Sequence, residues 1–176
     1  MKCEKGLTFE ECELAIIRQA VDKIEKKSGR KMLNNPVVQE IISIVEKFLV
    51  KTQRVCYGGT AINNILPEEA QFYDKSIELP DYDFFSPEPL QDAKDLADIF
   101  YKHGFTEVEA KAGMHAGTFK VFVNFIPVAD ISFVPKDLYK KIHKKAITKA
   151  GIYYSPPNYL RMLMYLELSR PQGDAS

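Results

Sequence analysis

The sequence predicts an α+β fold, with short strands and helices combined in one domain behind a helical N-terminal extension. Three observations lead there. The first fifty residues carry apolar side chains at helical spacing. From Arg54 to Val134, short apolar runs are separated by turn residues, a helical segment near Ser86-Pro87 interrupts them, and another follows at Ser155-Pro156.

In the extension, Thr8 and Glu11 form a capping box ahead of Leu14, Ile17, Val21 and Ile24, and Ser28-Gly29 is expected to end that helix. Asn35-Pro36 reads as an N-cap followed by a first-turn proline; Val37, Val38, Ile41, Ile42, Ile44, Val45, Phe48 and Leu49 then give the second helix a broad face for packing. A strand near Arg54 to Tyr57 runs into Gly58-Gly59 and a short helix, followed by the irregular PEEAQFYDKS and a strand around Ile77 to Phe85. The helix opened by Ser86-Pro87 repeats Leu90, Leu96, Ile99 and Phe100 until Gly104 stops it. Strands are expected over Phe105 to Lys111, Thr118 to Phe125 and Val128 to Val134. A lysine-rich helix over 136–149, a loop ending Tyr153-Tyr154-Ser155, and a last helix capped by Ser155 and running through Arg170 complete the reading. The expected domains are the extension, 1–52, a core, 53–155, and a C-terminal helix, 156–176.

With 176 residues, 45% of them hydrophobic, the chain can bury a core and is unlike disordered sequences. No apolar run approaches the roughly 20 residues a membrane helix needs, and the acids in MKCEKGLTFEECELAII are unlike a secretory signal, which predicts an intracellular protein. Cys3, Cys12 and Cys56 lack metal-ligand spacing, so no disulfide framework or zinc site is expected and Cys56 reads as a buried strand residue. His103, His115 and His143 do not cluster, which speaks against a histidine metal site. Twenty-four basic residues balance twenty-four acidic ones, so charged partners must be drawn by local patches. KDLYKKIHKKAITK is such a patch, read either as a solvated helix face or as a polyanion contact.

The chemistry lies in three places. In LPDYDFFS, Asp81 and Asp83 are two apart on a strand, so both leave one face a few ångströms from each other. Two solvated acids at a strand end would explain the pair, but a divalent cation between them removes the repulsion. Asp130 in IPVADISFV stands in an apolar strand where an unpaired carboxylate is costly. If the two strands are neighbours, three carboxylates converge, and an oxygen-only set suits Mg²⁺ or Mn²⁺, with room for the two ions of phosphoryl transfer. Gly58-Gly59-Thr60 opens a helix directly after a strand, an arrangement that suits a plain turn or a triphosphate held on backbone N–H groups and the Thr60 hydroxyl. No P-loop pattern is present.

Gly58-Gly59-Thr60, Asp81-Tyr82-Asp83 and Asp130, in that order, resemble the signature of the DNA polymerase β-like nucleotidyltransferase superfamily. More narrowly, YGGTAINNIL, LPDYDFFS, VNFIPVADISF and YYSPPNYLRMLMYLELSRP resemble the poly(A) polymerase catalytic subunits of large nucleocytoplasmic DNA viruses, from about residue 54 onward. The resemblance implies a polymerase β-like fold, a mixed sheet flanked by helices. It implies metal ligation by Asp81, Asp83 and Asp130, with Asp130 helping to deprotonate a primer 3′-hydroxyl, and triphosphate binding by Gly58, Gly59 and Thr60. The implied reaction is template-independent addition of AMP from ATP to RNA 3′ ends, with Mg²⁺ or Mn²⁺. Lys136, Lys140, Lys141, Lys144 and Lys145 become candidates for RNA phosphates, and a homodimer or a processivity subunit becomes a candidate partner. A viral relative would work in the host cytoplasm or travel in the virion. The family has a further domain after the core, to which the 156–176 helix is expected to lead. Transfer to a small molecule, protein or tRNA end, and a non-catalytic RNA-binding subunit, are the alternative functions.

Overall fold

The computed structural model describes residues 8–73 and 80–169. They fall into two compact units, 8–39 in the first and 40–73 with 80–169 in the second.

The first unit holds α1 (Phe9–Leu33) and the start of α2 (Pro36–Thr52). The expected capping box is present. Glu11 Oε2 accepts from the Thr8 N–H at 2.8 Å, and Thr8 Oγ1 accepts from the Glu11 N–H at 3.3 Å. Leu14, Ile17, Val21 and Ile24 are exposed along α1. The helix does not stop at Ser28-Gly29 but continues to Leu33, because one glycine costs a helix interior only about 1 kcal/mol. It is Asn35 that starts the next helix, accepting from the Val37 N–H at 3.0 Å through Oδ1. Cys12 is disulfide-bonded, where no disulfide framework is expected, and Cys56 is a buried free thiol as expected.

The second unit is built on a seven-stranded mixed sheet. Its strands are β1 (Val55–Tyr57), β2 (Tyr82–Ser86), β3 (Val108–Ala112), β4 (Thr118–Val123), β5 (Ile126–Phe133), β6 (Ile147–Lys149) and β7 (Ile152–Tyr154), in the order β3-β4-β5-β2-β1-β7-β6. The β2–β5 and β1–β7 pairs are parallel and the others antiparallel. The α+β expectation, a mixed sheet flanked by helices, is met. Between β1 and β2 lie α3 (Gly58–Ile65) and a 3₁₀ turn at Glu68–Ala70; α4 (Pro89–Lys102) follows β2, α5 (Lys136–Lys144) follows β5, and α6 (Pro157–Ser169) follows β7.

Strand alternation gives the sheet two unlike faces. On one, Cys56, Phe84, Ile131 and Val121 pack against Ile41, Ile44, Val45, Phe48 and Leu49 of α2 and Ala93, Leu96 and Phe100 of α4. Their spacings place each helix's apolar residues in one stripe. On the other, Val55 and Phe85 join Val134, Tyr139 and Ile142 under α5, with Tyr159 and Leu163 of α6 at the margin. Arg54, just before β1, is clamped by Asp92 of α4 through two bonds of 2.7 and 2.9 Å.

Two further expectations need correction. The lysine-rich helix ends at Lys144, and 147–149 with 152–154 form a hairpin instead. Ala150 and Gly151 take φ of 53° and 81°, the twist that a two-residue hairpin turn needs. Ser155 does not cap α6: its N–H continues the β7–β1 ladder to the Cys56 carbonyl, and its buried Oγ has no hydrogen-bond partner. Within the described residues β2 begins at Tyr82, while Ile77 to Leu79 of the expected strand, and Arg170 of the expected last helix, lie outside them.

Candidate nucleotidyl-transfer site

Register builds the site. Tyr57 of β1 is the partner of Asp83 of β2, Asp83 of Asp130 of β5, and Asp130 of Lys120 of β4. Partners on neighbouring strands share a face and are about 4.8 Å apart, so Asp83, Asp130 and Lys120 form a row across the sheet. Asp81 stands two residues before Asp83, at the exposed mouth of β2. The neighbouring row is hydroxylic: Ser132 Oγ lies 2.8 Å from the Tyr57 hydroxyl and 3.1 Å from Thr118 Oγ1. These bonds tie β1, β5 and β4 together beside the carboxylates.

The charges of the row are unequal. Burial, then the charges of Asp81 and Asp130, push the Asp83 carboxyl up to about 7, and Lys120 only partly offsets them. Desolvation and then Asp130 also raise Asp81. Lys120 Nζ is ion-paired with Asp130 Oδ2, and that hydrogen bond raises the lysine, which stays charged. Three carboxylates present only hard oxygen donors and hold negative charge to spare, the chemistry that suits Mg²⁺ or Mn²⁺. They are neighbours and not a finished cage: among the described residues, no three carboxylate, imidazole or thiol groups are placed to hold an ion.

Gly58 and Gly59 adjoin this row at the end of β1. Gly58 has φ of 76°, and a Cβ added there would run into Asp83 Oδ2. A Cβ on Gly59 would meet the Tyr73 hydroxyl. The chain can therefore turn into α3 against Asp83 only because Gly58 lacks a side chain, whereas at Gly59 it is the end of the Tyr73 side chain that a Cβ would displace. Tyr57, at the N-cap of α3, provides no side-chain cap, so no N-cap side chain competes for the first-turn N–H groups, in which Thr60 sits.

The five lysines are exposed, four on α5, whose Tyr139 and Ile142 are buried, and Lys145 at its C-terminal cap. The sheet brings only some of them to the carboxylate end. Lys144 and Lys145 precede β6, whose Ile147 pairs with Tyr154 of β7, next to the level of Tyr57 and Asp83. That edge is three strand spacings from β2, about 14 Å. Lys136 starts α5 beyond the far end of β5, and Lys140 and Lys141 lie between.

Over residues 43–174 the sequence matches the profile of the family described as Poly(A) polymerase catalytic subunit. The chain belongs to that family. Relatives named as the family's catalytic subunit include one from African swine fever virus (isolate Tick/Malawi/Lil 20-1/1983), 30% identical over 86% of this chain and 31% of the relative, and one from Acanthamoeba polyphaga mimivirus, 36% identical over 73% of this chain and 22% of the relative. The crystal structure of the Megavirus polyadenylate synthase superposes with a TM-score of 0.79 at 28% identity, covering 97% of this chain and 35% of that one. The chain thus spans about a third or less of the length of these family members.

Two residues beside the carboxylates escape a reading of the sequence. Lys120 had a signal, a charged residue alternating with Phe119, Val121 and Val123 in a strand otherwise built for a core. Tyr73 had none, since its place over Gly59 depends on buried Asn63, whose Oδ1 accepts from the Phe72 and Tyr73 N–H groups at 2.8 and 2.9 Å. Asn63 is thus a structural residue of α3. His103 likewise closes its helix, Nδ1 lying 2.8 Å from the Ile99 carbonyl. His143 is stacked on Tyr153 with ring centroids 4.6 Å apart.

Proposed function

We propose that this chain is the nucleotidyl-transfer core of a template-independent polynucleotide adenylyltransferase, adding AMP from ATP to RNA 3′ ends. One observation carries the reading: Asp83 and Asp130 are direct partners on adjacent strands, with Asp81 two residues away, at the sheet end where Gly58 turns into α3. Membership of the poly(A) polymerase catalytic subunit family supports the choice of substrates.

In this reading Asp81, Asp83 and Asp130 bind Mg²⁺ or Mn²⁺, which when bound supplies charge neutralisation for the attacking and leaving oxygens. N–H groups at Gly58, Gly59 and the first turn of α3 hold the triphosphate, and the Thr60 hydroxyl donates to a phosphate oxygen. Asp130 accepts the proton of the RNA 3′-hydroxyl as that oxygen bonds to the α-phosphorus. The bond from the α-phosphorus to the β-phosphate bridge breaks, and pyrophosphate leaves. Side chains here need only orient and neutralise, because phosphoryl transfer asks little covalent work of the protein. Lys144 and Lys145 are best placed to guide the RNA backbone toward the carboxylates, and Lys140, Lys141 and Lys136 extend the basic track along α5.

The test is extension of a labelled RNA primer with each NTP and Mg²⁺ or Mn²⁺, by this chain and by its Asp81→Ala plus Asp83→Ala variant. Growth with ATP that disappears in the variant establishes the reaction and its site. Nucleotidyl transfer that proceeds equally without RNA would replace this reading with transfer to another acceptor.

A further inference from the structure

The carboxylate row contains its own cation. Lys120 faces Asp130 across β4 and β5, on the side opposite Asp83, and its ammonium is ion-paired with Asp130 Oδ2. We propose that Lys120 is a displaceable counter-ion of this site, holding Asp130 in the metal-free protein and releasing that carboxylate when a divalent cation loads. The proposal rests on the metal-binding reading of the three carboxylates given above.

Geometry, exposure and charge support it together. Asp130 is shared between two neighbours, Asp83 on one strand and Lys120 on the other, and among the described residues no three ligating groups are placed to hold an ion. A carboxylate engaged by a lysine on the β4 side is not available in full on the β2 side. The Lys120 side chain is 39% exposed against 16% for Asp130, so the lysine is the partner that can leave. Its flexible four-carbon stem can return a strongly hydrated ammonium to water by rotation alone.

The Arg54–Asp92 pair shows the contrasting design: exposures of 18% and 6% and a two-bonded guanidinium fork. That pair is built to stay closed, and Lys120–Asp130 is built to open. Lys120 also attracts Asp81 and Asp83, so it partly neutralises the whole row. Selectivity follows. A monovalent ion only matches the charge it would displace, whereas a divalent ion exceeds it, so the lysine biases the site toward dications.

The experiment is Mn²⁺ binding to this chain, followed by electron paramagnetic resonance of free Mn²⁺, together with thermal melting in chelator. Lys120→Met is expected to lower the melting temperature in chelator and to bind Mn²⁺ roughly five-fold more tightly. Lys120→Arg, which keeps the charge and can grip the carboxylate with two bonds, is expected to bind Mn²⁺ more weakly than wild type while keeping its melting temperature. Should Lys120→Met fail to fold, the arginine variant decides: weaker Mn²⁺ binding supports displacement, and unchanged or tighter binding overturns it. Mn²⁺ binding by folded Lys120→Met that is equal to or weaker than wild type also overturns it, leaving Lys120 a fixed support of Asp130. If wild type binds no Mn²⁺ that Asp83→Asn abolishes, the metal-binding reading itself fails and takes this proposal with it.

Discussion

Gly58 and Asp83 are packed so closely that any β-carbon at position 58 would occupy the space of the Asp83 Oδ2 atom. The strand-to-helix turn and the carboxylate row are therefore one structural unit. Gly58→Ala is expected to cost about 1–2 kcal/mol from the positive φ alone, and more from the collision, and to abolish nucleotidyl transfer. Gly59→Ala meets only the end of the Tyr73 side chain, which is 39% exposed and can swing aside, so its cost should be smaller. Thermal melts of the two variants check the order, and equal losses would show that the Gly58 contact is not special.

The raised carboxyl of Asp83 makes metal-free stability depend on pH. Its folded value of about 7 lies above the ordinary aspartate range, so the native state binds the proton more tightly than the unfolded chain. Stability should therefore fall as pH rises from about 4 through about 7 and then level off. Melting curves in chelator between those limits should show the fall, and Asp83→Asn should flatten it. Saturating Mn²⁺ should reverse the slope, because the bound ion favours the ionised carboxylate. A wild-type slope in chelator unchanged by Asp83→Asn would assign the effect to other groups.

Arg54 and Asp92 form the mostly buried ion pair that ties the start of β1 to α4. Removing one partner strands the other, so Asp92→Ala should destabilise the second unit by about 3–5 kcal/mol. Replacing both by Met and Leu should recover most of that loss. The guanidinium also lies over the Tyr139 ring, 5.7 Å from its centroid, so the double replacement retains an apolar contact there. A urea-denaturation cycle over wild type, both single variants and the double variant measures the coupling; additive losses would mean the pair contributes nothing jointly.

For RNA binding, position along α5 makes the prediction specific. Lys144→Ala with Lys145→Ala should lower the slope of log affinity for oligoadenylate against log salt by about 1.4, the counterion release of two single-strand phosphate contacts. Lys136→Ala, beyond the far end of β5, should change it less. Fluorescence anisotropy across a salt series reads both. An unchanged slope in the double variant would make the helix an ordinary solvated face.

Much of this molecule is encoded within a few residues of sequence. The Thr8–Glu11 box, the Asn35 cap, the stripes of α2 and α4 and the glycine turn depend on neighbours in the chain, and local periodicity and capping chemistry express them directly. The hairpin at 147–154 was missed because the lysine run continues a helical charge pattern, while the hairpin depends on Ala150 accepting a positive φ that sequence alone does not announce. Ser155 differs for a related reason: its backbone extends β7 beside a strand remote in sequence, its N–H donating to the Cys56 carbonyl, and its buried Oγ makes no capping bond.

By itself, the sequence determined the residues with chemical potential, three aspartates and two glycines, and the elements that carry them. Only the tertiary structure decided that β5 lies parallel to β2 with Asp130 opposite Asp83, that β4 places Lys120 against Asp130, and that α5 carries Lys144 and Lys145 to the carboxylate end. The physical reason is that strand pairing and register are settled by burying Phe84, Ile131 and Val121 together beneath α2 and α4, a packing among residues far apart in the chain.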